Sequence, residues 1–181
     1  EMSVRDFSVQ KEAGFKHPGK FKGLTESPQL NGQILGFDYL QKLGITHVQL
    51  LPVYDFGSVD EENQWKAYNW GYDPVQYNVP EGSYASDPND PYARIWELQD
   101  AIATYHQSNL SVIMDVVYNH VYQADEYAFE QIVPGYFYRY NAEGERTNGT
   151  FCGNDVASER SMVRQYIKQS LKQWVSLYGF D

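Results

Sequence analysis

Positive charge is scarce in this sequence. Lys and Arg together number 14 against 24 Asp and Glu, and the formal net charge is −10. A nucleic-acid binder neutralises phosphates with a basic face, and none is visible here. The same balance argues against an anionic membrane surface, and no apolar run approaches the ~18 residues of a membrane span. Cysteine is limited to Cys152, so there is no internal disulfide and cysteine usage is silent about compartment. No secretory leader is visible at Glu1. No glycine-rich nucleotide motif, Ser-His-Asp arrangement or zinc-site spacing is apparent.

What remains is an acidic chain of 181 residues, long enough for one sizeable core. Aromatics make up 16% of it, with 16 Tyr and 4 Trp. Some of these belong in a core. The others suit a sugar site, because Tyr and Trp offer a flat apolar face beside a polar handle. A neutral sugar is also compatible with the charge.

The hydrophobic pattern alternates strand and helix. Residues 2–9 read as a first strand, and opening inside an element suggests an excised piece. Phe37, Leu40 and Leu43 have helical spacing, ended by Gly44 at the position after the helix. The run Ile45-Thr-His-Val-Gln-Leu-Leu-Pro-Val53 is apolar on both faces, as in a parallel strand covered by helices. His47 within it is expected in the core. Ile95, Leu98, Ile102 and Tyr105 mark a second helix, residues 110–117 a third strand. Val163, Ile167, Leu171, Trp174 and Tyr178 mark a long last helix, with Asp155 or Ser158 as N-cap and Gly179 beyond its end. Phe180-Asp181 stands where a fourth strand would begin. Long polar segments, 54–90 and 118–157, follow strands, whereas the helix-to-strand links are short. This asymmetry describes a βα series with a parallel sheet whose site gathers at the C-terminal strand ends.

Two motifs carry candidate chemistry. Asp115-Val-Val-Tyr-Asn-His120 puts a carboxylate in an apolar strand, where it is costly without a partner, and no partner lies nearby in sequence. Asp115 is either a strand cap beside a solvated His120 or part of a site. Tyr68-Asn-Trp-Gly-Tyr-Asp-Pro74 gathers aromatics around Gly71. It is either a packed aromatic turn or a flat binding platform.

The second motif resembles the signature of type I pullulanases, the α-1,6-debranching branch of the α-amylase superfamily (glycoside hydrolase family 13). The first resembles that superfamily's first strand-end motif. Gln49-Leu-Leu-Pro-Val-Tyr-Asp-Phe56, Pro80-Glu-Gly-Ser-Tyr84 and Cys152-Gly-Asn-Asp-Val-Ala-Ser-Glu-Arg160 are also similar to pullulanases. The resemblance implies an α/β fold: roughly the first three to four βα units of a TIM (β/α)8 barrel across residues 1–181, with 118–157 an excursion after strand three. It implies an α-glucan partner (pullulan, branched dextrin or amylopectin) and the remaining half of the barrel. Tyr72 would stack on a sugar, Asp73 would order its polar partners, and His120 would bond its hydroxymethyl oxygen. Asp115 would hold an arginine from strand four, and Asn119 would fix the loop after strand three. Residues Cys152 to Asp155 receive no catalytic role. The family cleaves with retention by two carboxylates, and both are expected beyond Asp181, so no catalytic residue is assigned in this chain. No cofactor is required; calcium stays open with no ligands named. Compartment is not indicated. The alternatives are an α-1,4-acting amylase or glycogen-debranching specificity in the same superfamily, or a non-catalytic glycan-binding half barrel.

Overall fold

The computed structural model describes residues 1–181 as an α/β fold. Strand β3 (His47–Leu50) pairs in parallel with β6 (Ser111–Met114), His47 opposite Ser111 and Leu50 opposite Met114. Val48, Leu50 and Val112 are buried in this ladder. On the far side of β3, Met2 forms a parallel bridge to Leu50, its N–H donating to the Gln49 carbonyl at 2.9 Å. On the far side of β6, the Asp181 N–H donates to Val112 O at 3.0 Å. Four chain segments thus lie side by side in sequence order, although only the middle pair forms a ladder.

The expected first strand shrinks to Met2. Residues Val4–Ser8 form helix α1 instead, because Ser3 accepts the Asp6 N–H and caps it. The next two helices fall where the spacing placed them. Helix α2 (Gly36–Lys42) follows a short hairpin of β1 (Gln29–Leu30) and β2 (Gln33–Ile34). Helix α3 (Ala93–Gln107) buries Leu98, Ala101, Ile102 and Tyr105. Gly44 and Gly179 take the positive φ values of +69° and +84° that terminate helices. Helix α5 (Ser161–Gln173) runs on through a wider turn at Trp174–Tyr178, and its N-cap is Arg160 rather than Asp155 or Ser158. Asp155 is instead committed to a loop described below. His47 is exposed and pairs with Thr46, contrary to the expected core position, because its side chain lies on the uncovered face of β3.

The segment 54–90, read as a loop, contains a hairpin. Strand β4 (Tyr54–Phe56) pairs antiparallel with β5 (Pro74–Pro80), with irregular register on both sides of Asp55. The Gly57 N–H closes onto Asp73 O at 2.9 Å, so residues 58–72 become one long projecting loop. Its root is held by a fully buried carboxylate. Glu81 accepts the N–H groups of Phe56 (3.1 Å) and Ser83 (2.8 Å). Beside it stand Asp55 and Glu61, and the carboxylate oxygens of all three lie within 4.8 Å of one another. Arg94 of α3 forks onto Glu61 at 3.0 and 2.7 Å. These oxygens are the donors a hard cation takes, yet Glu61 and Glu81 already hold protein partners.

One arginine for three carboxylates leaves like charges crowded together. Burial, then Glu61, pushes Asp55 from its ordinary 3.8 up to about 6, with Arg94 opposing. Burial pushes Glu81 from 4.5 to about 7 against its hydrogen bonds. Raised values mean that the folded state binds these protons more tightly than the unfolded chain. Their contribution to stability is full below about pH 4 and is lost as pH rises towards 7. Asp55→Asn should flatten the fall in melting temperature between pH 4 and 8 and leave the variant more stable than the parent at pH 8. At ~1.4 kcal/mol per pK unit, the difference should be about 3 kcal/mol. Parallel pH–melting curves for parent and variant would contradict this account.

Candidate functional site

The long loop of the β4–β5 hairpin carries the aromatic motif, and its shape is set by one amide. Asn69 Nδ2 donates to Gly57 O (2.7 Å), Ser58 Oγ (3.0 Å) and Asp73 Oδ1 (2.7 Å). Its Oδ1 accepts the Gly71 N–H at 2.7 Å. Ser58 Oγ completes the knot by donating to Asp73 Oδ2 at 2.9 Å. Gly71 has φ +91°, and a Cβ there would lie 2.6 Å from the Pro52 carbonyl. Only glycine permits that approach, which seats the loop on the segment just past the C-terminal end of β3. Arg5 lies over the rings of Trp65 (5.4 Å) and Tyr68 (4.8 Å), and Tyr68 donates to Asp6. The loop is therefore tied to α1 as well.

Tyr72 reaches across to the end of β6. Its hydroxyl donates to Asp115 Oδ2 at 2.7 Å. The half-buried carboxylate at the strand end thus finds its donor on the aromatic motif, and the two sequence motifs meet. Burial, then the Asp115 bond, pushes the Tyr72 phenol up to about 12, so it remains a donor at neutral pH. Asp73 is raised by burial, with Asn69 and Ser58 pulling the other way. His120 is 7% exposed. Burial lowers its pKa, opposed by the Tyr72 backbone carbonyl and the charge of Asp73. Its Nδ1 lies 2.9 Å from Asn119 Oδ1. Asn119 itself is exposed, and its carbonyl accepts the Val156 N–H at 2.9 Å.

The excursion 118–157 returns to this strand end. It contains α4 (Ala128–Ile132) and bridges at Tyr138–Val156 and Tyr140–Arg146. Asn154 clasps Val121 from both sides, accepting its N–H (3.0 Å) and donating to its carbonyl (2.8 Å). Asp155 gathers Thr147 Oγ1 (2.6 Å), Gly149 N (2.7 Å) and both donors of Thr150 (3.1 and 3.0 Å). Burial opposes its charge, but these bonds prevail and hold its pKa down to about 2. Phe151, at the tip of this clamped loop, is 91% exposed with φ +61°.

All five sequence-identified residues thus lie in one neighbourhood: Tyr72 on Asp115, Asp73 and the Tyr72 carbonyl against His120, and Asn119 bonded to His120. Beside them, Ser58, Tyr68, Asn69, Trp70, Tyr72 and Asp73 line an open groove of about 330 Å³. An aromatic face flanked by amide, hydroxyl and carboxylate groups suits a neutral polyhydroxylated ligand. Sequence reading passed over Ser58, gave Asn69 and Asn154 no role within their motifs, and offered Asp155 only as a helix cap. The only signal available was the density of Asn, Asp and Gly, which favour side-chain-to-backbone turns.

The Alpha-amylase catalytic-domain family matches residues 15–140. A pullulanase from Bacillus subtilis (strain 168) is 49% identical over 183 residues, covering 100% of this chain and 26% of the relative. Pullulanase 1, chloroplastic, of Arabidopsis thaliana is 36% identical over 225 residues, covering 100% of this chain and 22% of its own length. Among solved structures, type I pullulanase from Bacillus subtilis str. 168 complexed with maltose matches with a TM-score of 0.96 at 49% identity, over 99% of this chain and 26% of that one. Pullulanase from Paenibacillus barengoltzii in complex with maltohexaose and alpha-cyclodextrin matches with a TM-score of 0.95 at 50% identity, over 99% of this chain and 29% of that one. The chain spans about a quarter of the length of these relatives.

Gly71→Ala should lower stability by roughly 1–3 kcal/mol, through positive φ and the clash with Pro52. Hydrogen exchange should accelerate across residues 57–73 more than in β3 or β6. Unchanged melting and uniform exchange would mean that the loop does not depend on this approach.

Proposed function

The chain belongs to the α-amylase catalytic-domain family, and on that premise we propose that it forms the substrate-binding part of an α-1,6-debranching glycoside hydrolase. In this reading residues 1–181 are the first three to four βα units of a (β/α)8 barrel. The side-by-side order of Met2, β3, β6 and Asp181 supports it, as does the clustering of the site beyond the ends of β3 and β6, where such barrels carry their sites. The remaining half of the barrel is the implied intramolecular partner.

The observation that carries the assignment is the Tyr72–Asp115 hydrogen bond. It turns a loop aromatic into a fixed plane beside Asp73 and His120. Tyr72 provides the stacking face for a glucose ring. Asp73, ordered by Asn69 and Ser58, presents acceptors at the ring's edge. His120, held off its charged form by burial, bonds a sugar hydroxyl, and Asn119 braces the histidine. The substrate class is a branched α-glucan: pullulan, branched dextrin or amylopectin.

Bond cleavage with retention needs a nucleophilic carboxylate and an acid–base carboxyl ~5 Å apart. Asp73 and Asp115 both accept protein donors, and neither falls where the family resemblance puts a catalytic carboxylate. By that resemblance, both catalytic carboxylates come from later strands, outside this chain. Asp115 is the natural acceptor for an arginine arriving from the neighbouring strand.

Purified protein of this sequence, free of host glycosidases, should release no reducing sugar from pullulan but should bind maltohexaose. Tyr72→Ala should weaken that binding about tenfold, on the order of 1.4 kcal/mol, consistent with loss of an aromatic stacking face. Tyr72→Phe should lose less, because the ring survives without its tether. Turnover by the pure chain would overturn the placement of the catalytic carboxylates. Binding indifferent to Tyr72→Ala would overturn the site.

A further inference from the structure

Helix α3 carries an aromatic pair that its packing does not use. Its core face is Leu98, Ala101, Ile102 and Tyr105. Tyr92, at the N-cap, and Trp96 stand on another face, 59% and 62% exposed. Their rings stack with centroids 5.6 Å apart and planes 22° apart. An amphipathic helix ordinarily turns polar residues to solvent, and an exposed aromatic stack departs from that pattern. Trp96 forms one wall of a groove of about 540 Å³ running between α3 and residues 86–90.

The groove's polar wall is organised. Glu97, 8% exposed, accepts the Ser86 N–H at 2.9 Å and also bonds the Ser86 hydroxyl. Lys22 donates to Ser86 Oγ at 2.9 Å and pairs with Glu97 at 3.1 Å. Asp87, Asp90 and Asp100 line the remainder. Asp87 and Asp90 brace the turn into α3 by accepting the N–H groups of Asn89 and Tyr92.

We propose that Trp96, stacked on Tyr92, is a second α-glucan subsite, separate from the Tyr72 groove and used to hold a chain rather than to cleave it. The proposal rests on the glucan-binding reading given above. Three observations select this ligand class. The lining holds only two apolar residues among eight, Ala93 and Trp96, which is too few for the apolar centre of a protein interface. Its carboxylates outnumber its one lysine, so an anionic ligand is repelled and a neutral one is not. The combination of an aromatic face with carboxylate and hydroxyl edges repeats the chemistry of Tyr72 with Asp73 and Ser58. Neutral sugars match that combination: C–H faces on the indole, hydroxyls donating to the carboxylates.

The test is electrophoresis of the purified protein through native gels with and without amylopectin, supported by titration with maltoheptaose. Trp96→Ala should weaken retardation roughly 3- to 10-fold, the range of one stacked aromatic contact. Trp96→Phe should restore part of it, and Asp100→Asn should weaken it less. Trp96→Ala and Tyr72→Ala together should abolish retardation. If Tyr72→Ala weakens retardation and Trp96→Ala does not, the second subsite is refuted and the first stands. If the protein is not retarded, and neither variant alters maltoheptaose titration, the glucan-binding reading falls and this inference with it.

Discussion

A carboxylate at the end of an apolar strand must find a donor, and much of this structure follows from how Asp115 finds one. Its partner is the hydroxyl of Tyr72, 43 residues earlier in the chain. Asp115 is half-buried and gives up part of its hydration, and the hydrogen bond offsets that cost, so the bond is a constraint on both partners. For Tyr72 to arrive, the loop must descend onto the end of β3, and that descent needs Gly71 against the Pro52 carbonyl. For the loop to keep its shape, Asn69 must bind Gly57, Ser58 and Asp73 together. The order of Asp73 is therefore a consequence of the same constraint that orders Tyr72.

The second determinant is aromatic packing behind the site. Tyr77 on β5 is fully buried, with Tyr54 at 5.8 Å, Tyr118 at 4.7 Å, and Tyr127 and Tyr166 each at 6.3 Å between centroids. Trp174 Nε1 donates to its carbonyl at 2.8 Å, and its hydroxyl donates to the carbonyl of His120. One residue thus joins the hairpin, the excursion and α5, and it fixes the backbone of His120 from beneath. A hydrogen bond to the hydroxyl offsets the cost of burying a phenol. The abundance of tyrosine has two causes in this chain: a core that uses rings with polar ends to satisfy loop backbone, and faces left open at Tyr72 and at Trp96 with Tyr92.

Parallel strands and long helices were legible because their signals are local and periodic. Three of the helices needed only spacing, two of them ended by a glycine, at Gly44 and Gly179. The first strand was misread because residues 2–9 alternate imperfectly, and a serine cap outweighs weak alternation: Ser3 starts a helix at Val4. The β4–β5 hairpin was hidden because its strands are short, bulged at Asp55 and bounded by Pro74 and Pro80, residues that normally argue against a central strand. Its root is held by Glu81, and no local pattern reveals that a glutamate will be buried between two backbone N–H groups. The five candidate residues stood out through motifs. Their meeting was not, because the Tyr72–Asp115 contact depends on a loop seated by a single glycine.

The same arithmetic of satisfied groups separates recognition from chemistry in this site. A sugar platform works best when its polar groups are fixed before the ligand arrives, since each side chain immobilised on binding subtracts from affinity. Asp73 and Asp115 meet that requirement by holding protein donors. A nucleophilic carboxylate needs one lone pair facing the anomeric carbon and a neighbour whose proton is ready to move. The Tyr72 bond engages one oxygen of Asp115 and fixes the carboxyl, and the other oxygen still accepts. In the proposed reading, this bonding makes the corner of the fold a rigid platform for a sugar. On that reading, residues that hold a substrate and residues that break it carry different demands, and separate strand ends of one barrel can meet each.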